Sequence, residues 1–245
     1  MSFSGSLNPI IISIDGNIGS GKSSVVEYLK KNFETYLKTC MFKKILDINI
    51  DDLKIVFLSE PVDEWSSFKD ENNKTIIEKF YGDNKKYSFA FQMMAYVSRL
   101  SQLKKVLVEN YHIIFTERSI LTDKNVFAKM LYDKKNMEPI EYQIYNKWFN
   151  EFSINLTNMK IIYIKTSPEI CDMRVKKRSR DGEIIPLSYL KDCHYYHETW
   201  LNNIDKLSKS IELLTINGNE ETNTSVFINN NYYDMIISKI AQLIL

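Results

Sequence analysis

Along the 245-residue chain, short apolar runs alternate with longer amphipathic segments. Five runs rich in β-branched residues predict strands at residues 10–14, 54–58, 112–116, 160–165 and 211–216. Continuous apolar strands that alternate with helices are typical of a parallel sheet covered on both faces. The segments between them, such as residues 87–110 and 139–155, are long enough for one or two helices each. The pattern therefore predicts an α/β fold with a five-stranded parallel sheet flanked by helices.

The composition is that of one ordinary domain. Hydrophobic residues make up 44% of the chain and charged residues 26%, and no apolar run approaches the roughly 20 residues that a membrane helix needs. A net charge of +1 gives no overall attraction to nucleic acid. We therefore expect a single domain over residues 1–245 that binds small molecules, with no nucleic-acid or membrane partner.

The amino terminus and the cysteines indicate the compartment. No Lys or Arg precedes Lys22, and the apolar run at residues 10–12 soon meets Asp15, which is unlike a secretory signal or an Arg-rich transit peptide. The three cysteines are widely spaced and fit reduced thiols better than disulfides or metal ligands. These features predict a cytoplasmic protein.

A phosphate-binding motif follows the first predicted strand. Residues 16–23 match G-x-x-x-x-G-K-[ST], between a strand that ends at Ile14 and a helix that begins near Lys22. Because strand, turn and helix fall in register, we prefer this interpretation to a chance match. Backbone N–H groups are expected to wrap a triphosphate, with Lys22 at its β- and γ-phosphates and the Ser23 hydroxyl on Mg²⁺. The predicted ATP-binding loop comprises Gly16, Asn17, Ile18, Gly19, Ser20, Gly21, Lys22, Ser23 and Ser24.

Two further strands are predicted to end in charged residues. The second runs into Glu60, and the third runs into Glu117 and Arg118. Ligands of open parallel sheets bind beyond the carboxyl ends of the strands. A carboxylate there can accept a proton from an attacking hydroxyl or hold Mg²⁺, and an arginine can pair with phosphate oxygens. For each residue alone, a solvated loop charge is an equal alternative.

Several motifs in one order resemble the deoxynucleoside kinase family, typified by deoxycytidine, deoxyguanosine and insect multisubstrate deoxynucleoside kinases. After the phosphate-binding motif they are Glu60-Pro61-Val62, Phe89-Ala90-Phe91-Gln92, Thr116-Glu117-Arg118-Ser119, Pro168-Glu169, Ile185-Pro186-Leu187 and His197-Glu198-Thr199-Trp200-Leu201. The resemblance covers nearly the whole chain. It implies a P-loop kinase fold with an Arg-rich lid at about residues 171–184. It also implies ATP-dependent, Mg²⁺-assisted phosphorylation of a deoxynucleoside 5′-hydroxyl, and a homodimer built on helices.

The resemblance implies roles for individual residues as well. Glu60 matches the general base on the 5′-hydroxyl, Arg118 the arginine that orients this hydroxyl and the transferring phosphoryl group, and Glu117 a Mg²⁺ partner. The implied substrate-binding residues are Trp65 and Phe127 against the base, Gln92 and Asp123 as its hydrogen-bonding partners, and Tyr81 and Glu198 on the sugar 3′-hydroxyl. Core packing is the alternative for the aromatic residues, and a structural amide is the alternative for Gln92.

A basic run follows the fourth predicted strand. It comprises Arg174, Lys176, Lys177, Arg178 and Arg180. Such a run is most often a solvated helix face. Its position between two family motifs matches the lid, which can bring cations onto the transferring phosphoryl group. We therefore expect Arg174, Arg178 and Arg180 to bind ATP, and Lys176 and Lys177 to remain solvated.

The choice of base depends on Arg99 and Asp123. Family members that prefer thymidine tend to carry an uncharged residue such as Met at the position of Arg99. Members that act on deoxycytidine or purine deoxynucleosides carry an Arg paired with an Asp. Both residues are present here, so the resemblance favours deoxycytidine or a purine deoxynucleoside over thymidine. Deoxycytidine, deoxyadenosine and deoxyguanosine all remain open.

Two other functions stay open from the sequence. A thymidylate-like nucleoside monophosphate kinase shares the phosphate-binding motif, lid and topology, but it needs additional cations for an acceptor phosphate. A non-catalytic P-loop subunit would tend to lose phosphate or base-catalyst residues, whereas Lys22, Glu60, Glu117 and Arg118 are all intact.

Three segments lie outside the motifs described above, two of them polar and one of them extra length compared with the family. Residues 69–86 are predicted to form a loop or a helix pair beside the site, and residues 217–231 a solvated loop or helix ends. Residues 39–52 look like extra length compared with the family. They would lie at the amino ends of the strands, so we expect them to leave the chemistry unchanged.

Overall fold

The computed structural model of the chain describes residues 8–40, 44–45, 48–153, 158–179, 184–204, 210–220 and 226–244. The main strands are β1 (Ile10–Gly16), β4 (Ile55–Leu58), β5 (Ile113–Glu117), β6 (Met159–Lys165) and β7 (Ile211–Asn217). They form one sheet in the order β4-β5-β1-β6-β7, and every pairing is parallel. Two short antiparallel strands, β2 (Lys44–Ile45) and β3 (Ile48–Asn49), form a hairpin. The five predicted strands and their parallel arrangement are confirmed.

Helices connect the strands. They are α1 (Lys22–Thr39), α2 (Val62–Ser67), α3 (Ile76–Gly82), α4 (Asn84–Leu107), α5 (Ile120–Thr122), α6 (Lys129–Asp133), α7 (Pro139–Phe152), α8 (Pro168–Arg178), α9 (Leu187–Leu201) and α10 (Val226–Ile244). A π-helical segment, Asp123–Ala128, joins α5 to α6. Residues 69–86 form a turn, α3 and the start of α4, so of the two predicted alternatives, a loop or a helix pair, the structure has the helices.

The strands are apolar on both sides because helices cover both faces of the sheet. Ile10, Ile12 and Ile14 of β1 pack with α1 and α10, whereas Ile11 on the opposite face packs with α4. Along α1, buried apolar residues recur at helical spacing from Val25 to Leu37. The alternating β1 side chains therefore fix which helices lie on each face.

The sheet brings the predicted motifs to one edge. β1 ends at Gly16, the first residue of the phosphate loop, and β5 ends at Glu117. β4 leads into Glu60, two residues before the start of α2, and α2 carries Trp65. Because parallel strands end at the same edge, residues that are distant in sequence meet there.

The segment at residues 39–52 contains the end of α1, the β2–β3 hairpin and a 3₁₀ turn, Ile50–Asp52. Ile45 is buried in the same apolar cluster as Leu37 of α1. The segment directly precedes β4, so it lies toward the amino end of that strand, as expected. None of the helices in the described ranges combines the length and hydrophobicity needed to span a membrane.

Candidate active site

The carboxyl edge of the sheet opens into a cleft of about 770 Å³. Its walls come from the phosphate loop, from the segments after β4 and β5, and from the helices around them. Every predicted site residue within the described ranges lines this cleft except Gly16, Asn17 and Glu198. Arg180 lies outside the described residues.

The phosphate loop adopts backbone conformations that favour glycine. The φ angle is +151° at Gly16, +78° at Gly19 and +98° at Gly21. Gly21 caps α1, whose first backbone N–H groups have no partner within the helix. A loop of this shape at a helix amino terminus is suited to bind phosphate.

Lys22 is 5% exposed, and its Nζ donates to the backbone oxygen of Asn17 at 2.8 Å. Burial, followed by repulsion from Arg118, lowers the pKa of Lys22 to about 8, although the carboxylates of Glu117 and Glu60 oppose the change. A bound phosphate would add negative charge beside this ammonium group and raise its pKa again.

The phosphate loop packs against α8 and α9. Asn17 Nδ2 donates to the backbone oxygen of Leu190 in α9 at 2.8 Å. A Cβ atom added to Gly19 would lie 2.5 Å from the backbone oxygen of Cys171 and 2.9 Å from Cγ2 of Val175, both in α8. The position of the loop therefore depends on the absence of a side chain at Gly19.

We expect Gly19→Ala to lower the free energy of unfolding by at least about 2 kcal/mol, because a left-handed backbone conformation and a steric overlap add together. Gly82 is the matched control, since a Cβ there meets nothing within 4 Å. At this helix terminus Gly82→Ala should be neutral or stabilise by up to about 1 kcal/mol. Urea unfolding followed by circular dichroism measures both, and equal stabilities for the two variants would contradict the packing described.

Ser23 and Glu117, the predicted Mg²⁺ partners, lie together. Ser23 Oγ donates to Glu117 Oε1 at 2.7 Å. Adjacent hydroxyl and carboxylate oxygens fit Mg²⁺, which prefers oxygen ligands and usually also binds substrate phosphates and water. In the described ranges no three His, Cys, Asp or Glu side chains form a metal site. A Mg²⁺ ion at Ser23 and Glu117 would therefore depend on phosphate or water ligands as well.

Three cationic side chains, Arg118, Arg99 and Lys22, act on Glu60. Its Oε1 accepts from Arg99 Nη2 at 2.8 Å and lies 3.3 Å from Arg118 Nε. Burial alone would raise the pKa of Glu60, but Arg118, Arg99 and Lys22 outweigh it and lower the pKa to about 2. Glu60 is therefore ionised throughout the neutral range.

Arg118 contacts both halves of the cleft. Its Nη1 donates to the backbone oxygen of Gly16 at 2.7 Å, and its guanidinium lies 4.9 Å from the ring centre of Phe127. Arg118 itself has a φ angle of +63°, a conformation that residues other than glycine rarely adopt. Such strain is often found at functional sites.

The predicted base-binding residues form one pocket. Trp65 and Phe127 are 5% and 8% exposed and both line the cleft. Gln92 is also buried, and its Oε1 has no hydrogen-bond partner in the described part of the chain. A buried amide oxygen without a partner is costly unless a ligand satisfies it. Aromatic walls beside a free amide suit a flat heterocycle that can donate and accept hydrogen bonds.

Arg99 connects the pocket to Glu60. Its Nε donates to Asp123 Oδ2 at 2.9 Å and its Nη1 to the backbone oxygen of Glu117 at 2.6 Å, while Nη2 binds Glu60. The sequence predicted the pairing with Asp123. The contact with Glu60 was not predicted, because it depends on how α4 packs beside β4.

Tyr81 and Glu198 are not brought together in the way the resemblance implied. Tyr81 lines the cleft and packs near Tyr189, with ring centres 6.4 Å apart. Glu198 instead accepts from Lys165 at the end of β6. The interaction with Lys165 and a hydrogen bond with Tyr163 lower the pKa of Glu198, although burial, the largest single influence, acts to raise it. The geometry therefore favours Tyr81 at the cleft and gives no support to Glu198.

The comparisons with known proteins agree with this geometry. The characteristic sequence profile of the family described as deoxynucleoside kinase matches residues 12–245. The chain belongs to the deoxynucleoside kinase family. The predicted family, P-loop kinase fold and enzyme class are thereby confirmed.

Named relatives of this kinase cover most of its length. Deoxycytidine kinase of Homo sapiens is 31% identical over 95% of this chain and 90% of the relative. A probable deoxycytidine kinase of Fowlpox virus (strain NVSL) is 32% identical over 92% of this chain and 87% of the relative. Mitochondrial deoxyguanosine kinase of Xenopus laevis is 28% identical over 78% of this chain and 72% of the relative.

The basic helix of the kinase, α8, contacts the phosphate loop. Arg174 donates to the backbone oxygens of Ser20 at 3.1 Å and Glu220 at 3.2 Å. Arg178 lines the cleft beside it, and so does Lys177, which the sequence predicted to be solvated and which is indeed exposed. Lys176 pairs with Asp172 on the helix surface, as expected of a solvated residue. The lid itself stays a prediction.

Three tyrosines of the kinase cleft were not predicted. Tyr189 of α9 lies beside Tyr81, and Tyr232 and Tyr233 of α10 line the cleft on the side of Ser24. They lie in ordinary amphipathic helices without a motif. The only available signal was their helical spacing, which equally fits core packing.

Proposed function

We propose that this kinase transfers the γ-phosphoryl group of ATP to the 5′-hydroxyl of a deoxynucleoside, preferring deoxycytidine and purine deoxynucleosides to thymidine. Residues 1–245 act as one kinase domain in this proposal. The observation that carries it is the surroundings of Glu60. This ionised carboxylate contacts Arg118. The same arginine contacts the phosphate loop at Gly16 and the base pocket at Phe127.

Glu60 is proposed to act on the acceptor hydroxyl. Both arginines contact its Oε1, so Oε2 is left for the 5′-hydroxyl. A carboxylate with a pKa of about 2 is a weak base, so it first orients the hydroxyl. It takes the proton as the oxygen bonds to the γ-phosphorus and the bond to the bridging oxygen breaks, which releases ADP.

Lys22, the loop N–H groups, Arg174 and Arg178 are proposed to bind the triphosphate of ATP, because all line one side of the cleft. Ser23 and Glu117 would hold Mg²⁺. When bound, this ion neutralises charge that develops on the phosphate oxygens. Arg118 would orient the transferring group from the acceptor side, which makes positioning and electrostatics the main contributions of the protein.

The proposed base preference follows from Asp123. Its Oδ2 binds Arg99, so Oδ1 is available to accept a hydrogen bond from the base. Burial raises the pKa of Asp123 to about 6 against the opposing charge of Arg99, so the group is still largely ionised at neutral pH. Cytosine, adenine and guanine each carry an amino group that can donate to a carboxylate, which in guanine is the group at C2. Thymine carries a carbonyl oxygen at the corresponding position, which a carboxylate repels.

The test is an assay of the protein with Mg·ATP and each of the four deoxynucleosides, plus dTMP, with ADP and product followed by chromatography. We expect 5′-monophosphates from deoxycytidine or a purine deoxynucleoside and little from thymidine. Product from thymidine alone would overturn the role given to Asp123. Product from dTMP alone would favour a monophosphate kinase, and ATP binding without turnover would favour a non-catalytic subunit.

The binding of ATP, the phosphate donor, should depend on the charge of Lys22. Since the pKa of Lys22 is about 8 in the free protein, the dissociation constant of Mg·ATP should rise up to tenfold per pH unit above pH 8. The phosphate groups lose their last proton near pH 6, well below this range. Calorimetric titration between pH 7 and 9.5 measures the change. Lys22→Arg is the control, because its guanidinium stays charged; the same rise in that variant would exclude Lys22 as its source.

We also propose that the kinase is a homodimer that uses α7. Four apolar residues spaced by four on this helix are 40–59% exposed, namely Ile140, Ile144, Trp148 and Phe152. Such a stripe is unusual on a surface that meets only water. The occupant we propose is a second copy of the chain, because the exposed Lys147–Glu151 pair beside the stripe offers charges of both signs for a self-complementary contact.

Replacement of Trp148 by Glu should convert the dimer to a monomer, because it introduces a charge at the centre of the stripe. Light scattering after size-exclusion chromatography measures the mass. Val108→Glu is the control, since Val108 is 59% exposed but lies at the end of α4, outside the stripe. A wild-type monomer, or a dimer that survives Trp148→Glu, would contradict this interface.

A further inference from the structure

A buried polar chain connects the end of β1 to the segment after β5. Asp15, which is fully buried, accepts hydrogen bonds from Ser13 Oγ at 2.6 Å and from Thr122 Oγ1. The two donors use different oxygens of the carboxylate. Ser13 and Thr122 are fully buried as well, so water does not replace these bonds.

Thr122 makes a second set of bonds to Ser119. Its N–H donates to Ser119 Oγ at 3.2 Å, and its Oγ1 accepts from the N–H of Ser119 at 3.3 Å. The two hydroxyl oxygens lie 3.0 Å apart. Because the Thr122 hydroxyl hydrogen is directed to Asp15, Ser119 is the donor of this hydroxyl pair. The reciprocal bonds fix the four residues from Ser119 to Thr122 as a capped helical turn.

The residues on either side of this turn are the ones that face the cleft. Arg118 precedes Ser119, and Asp123 follows Thr122. Arg118 has the left-handed φ angle of +63°, and its N–H donates to the backbone oxygen of Ile14 at 3.0 Å. A strained conformation persists only where surrounding contacts determine it. The Asp15–Thr122 bond is such a contact, because it joins the turn after Arg118 to β1.

We propose that Asp15 and Thr122 are positioning residues for phosphoryl transfer. Through their buried hydrogen bond, they set the Arg118 guanidinium toward the transferring group and the Asp123 carboxylate toward the base. This inference rests on the functions proposed above for Arg118 and Asp123. Neither Asp15 nor Thr122 touches the cleft, so they act through their neighbours.

A buried polar pair could instead contribute to folding alone, and Thr122→Val separates the two roles. Valine has nearly the same shape but no hydroxyl, so the turn loses its bond to Asp15 and the acceptor for the N–H of Ser119. We expect kcat with deoxycytidine, or with the deoxynucleoside that wild type uses best, to fall roughly 10- to 100-fold, since small misplacements of catalytic groups have effects of this size. The KM for Mg·ATP should change less than about threefold, because the phosphate loop keeps its contacts. Thr122→Ser restores the hydroxyl and should recover kcat to within about threefold of wild type.

Thr116→Val is the matched control. Thr116 is buried on β5, and its Oγ1 has no hydrogen-bond partner in the described ranges, so this variant should keep the wild-type kcat. Asp15→Asn is a second variant of similar size, and its side chain presents one acceptor oxygen instead of two. We expect it to lower kcat as well. Thermal melting of every variant identifies the temperature range in which all are folded, and kcat is compared there.

An unchanged kcat in Thr122→Val, with only a lower melting temperature, would overturn the positioning role. Equal losses of kcat in Thr122→Val and Thr122→Ser would also overturn it, because the hydroxyl would then be irrelevant. A wild-type protein without activity on any deoxynucleoside would overturn the proposed function and this inference with it. An active wild type with an unchanged Thr122→Val variant would reject the inference alone.

Discussion

Replacement of Glu60 by Gln is expected to lower kcat for deoxynucleoside phosphorylation by roughly 10²- to 10⁴-fold, the range typical of losing a general base. Gln keeps an oxygen that can accept from Arg99 and Arg118, so the position of the side chain should change little. It loses the negative charge that orients the 5′-hydroxyl and takes its proton. Because this charge matters most in the transition state, KM should change much less than kcat.

Steady-state kinetics of purified Glu60→Gln with Mg·ATP and the preferred deoxynucleoside measure this effect. Glu64→Gln is the matched control, since Glu64 is an exposed residue of α2 only four positions away. We expect this control to keep wild-type kinetics. A Glu60→Gln variant with full kcat would show that the carboxylate of Glu60 is not the base.

Replacement of Arg118 by Lys should lower kcat by about 10³-fold, even though the positive charge is kept. The Arg118 guanidinium contacts Gly16, Glu60 and Phe127 at once, and its remaining donors can bind a phosphoryl group. A lysine ammonium is a single point of charge and cannot make these contacts together. Arginines that stabilise transferring phosphoryl groups contribute effects of 10³-fold or more.

The same kinetic assay applies to Arg118→Lys, and Lys124→Met is its control. Lys124 is a cation in the same segment, but its Nζ lies 4.2 Å from the ring centre of Phe149 and it does not line the cleft. We expect Lys124→Met to remain fully active. An Arg118→Lys variant within about tenfold of wild-type kcat would indicate that charge alone, without the guanidinium geometry, is sufficient.

The arrangement of the strands could be predicted from the sequence because it follows from local patterns. β-branched apolar runs such as residues 10–14 and 160–165 lie within two residues of the strands that form. The phosphate loop was equally predictable, since its glycines, Lys22 and Ser23 are contiguous. Residues after strand ends, such as Glu60 and Glu117, follow from the rule that parallel strands end at one edge.

Contacts between distant segments could not be predicted in this way. The bond between Arg99 and Glu60 joins residues 39 positions apart, and the bond between Thr122 and Asp15 joins residues 107 apart. Both bonds depend on how the helices pack against the sheet, and no local sequence pattern specifies that packing. A buried threonine or aspartate in an apolar segment has no motif that distinguishes it from a surface residue.

The direction of the Glu198 side chain is a further feature that its motif does not specify, and the role predicted for this residue stays a prediction. It follows the fully buried His197 in α9, and successive helical residues point about 100° apart. In the structure its carboxylate meets Lys165 of β6, whereas Tyr189 near the start of the same helix lines the cleft. The order of residues in the motif gave no information on this orientation.

The most direct test of the account is the identity of the product formed from Mg·ATP and a deoxynucleoside. Phosphorus NMR of the reaction with deoxycytidine, and in parallel with deoxyadenosine and deoxyguanosine, distinguishes a phosphate on the 5′-oxygen from one elsewhere. We predict a 5′-monophosphate that accumulates together with ADP and that forms roughly 10²- to 10⁴-fold more slowly when Glu60→Gln replaces the wild type. Phosphorylation only of added nucleoside monophosphates, with the free deoxynucleosides unchanged, would contradict the account.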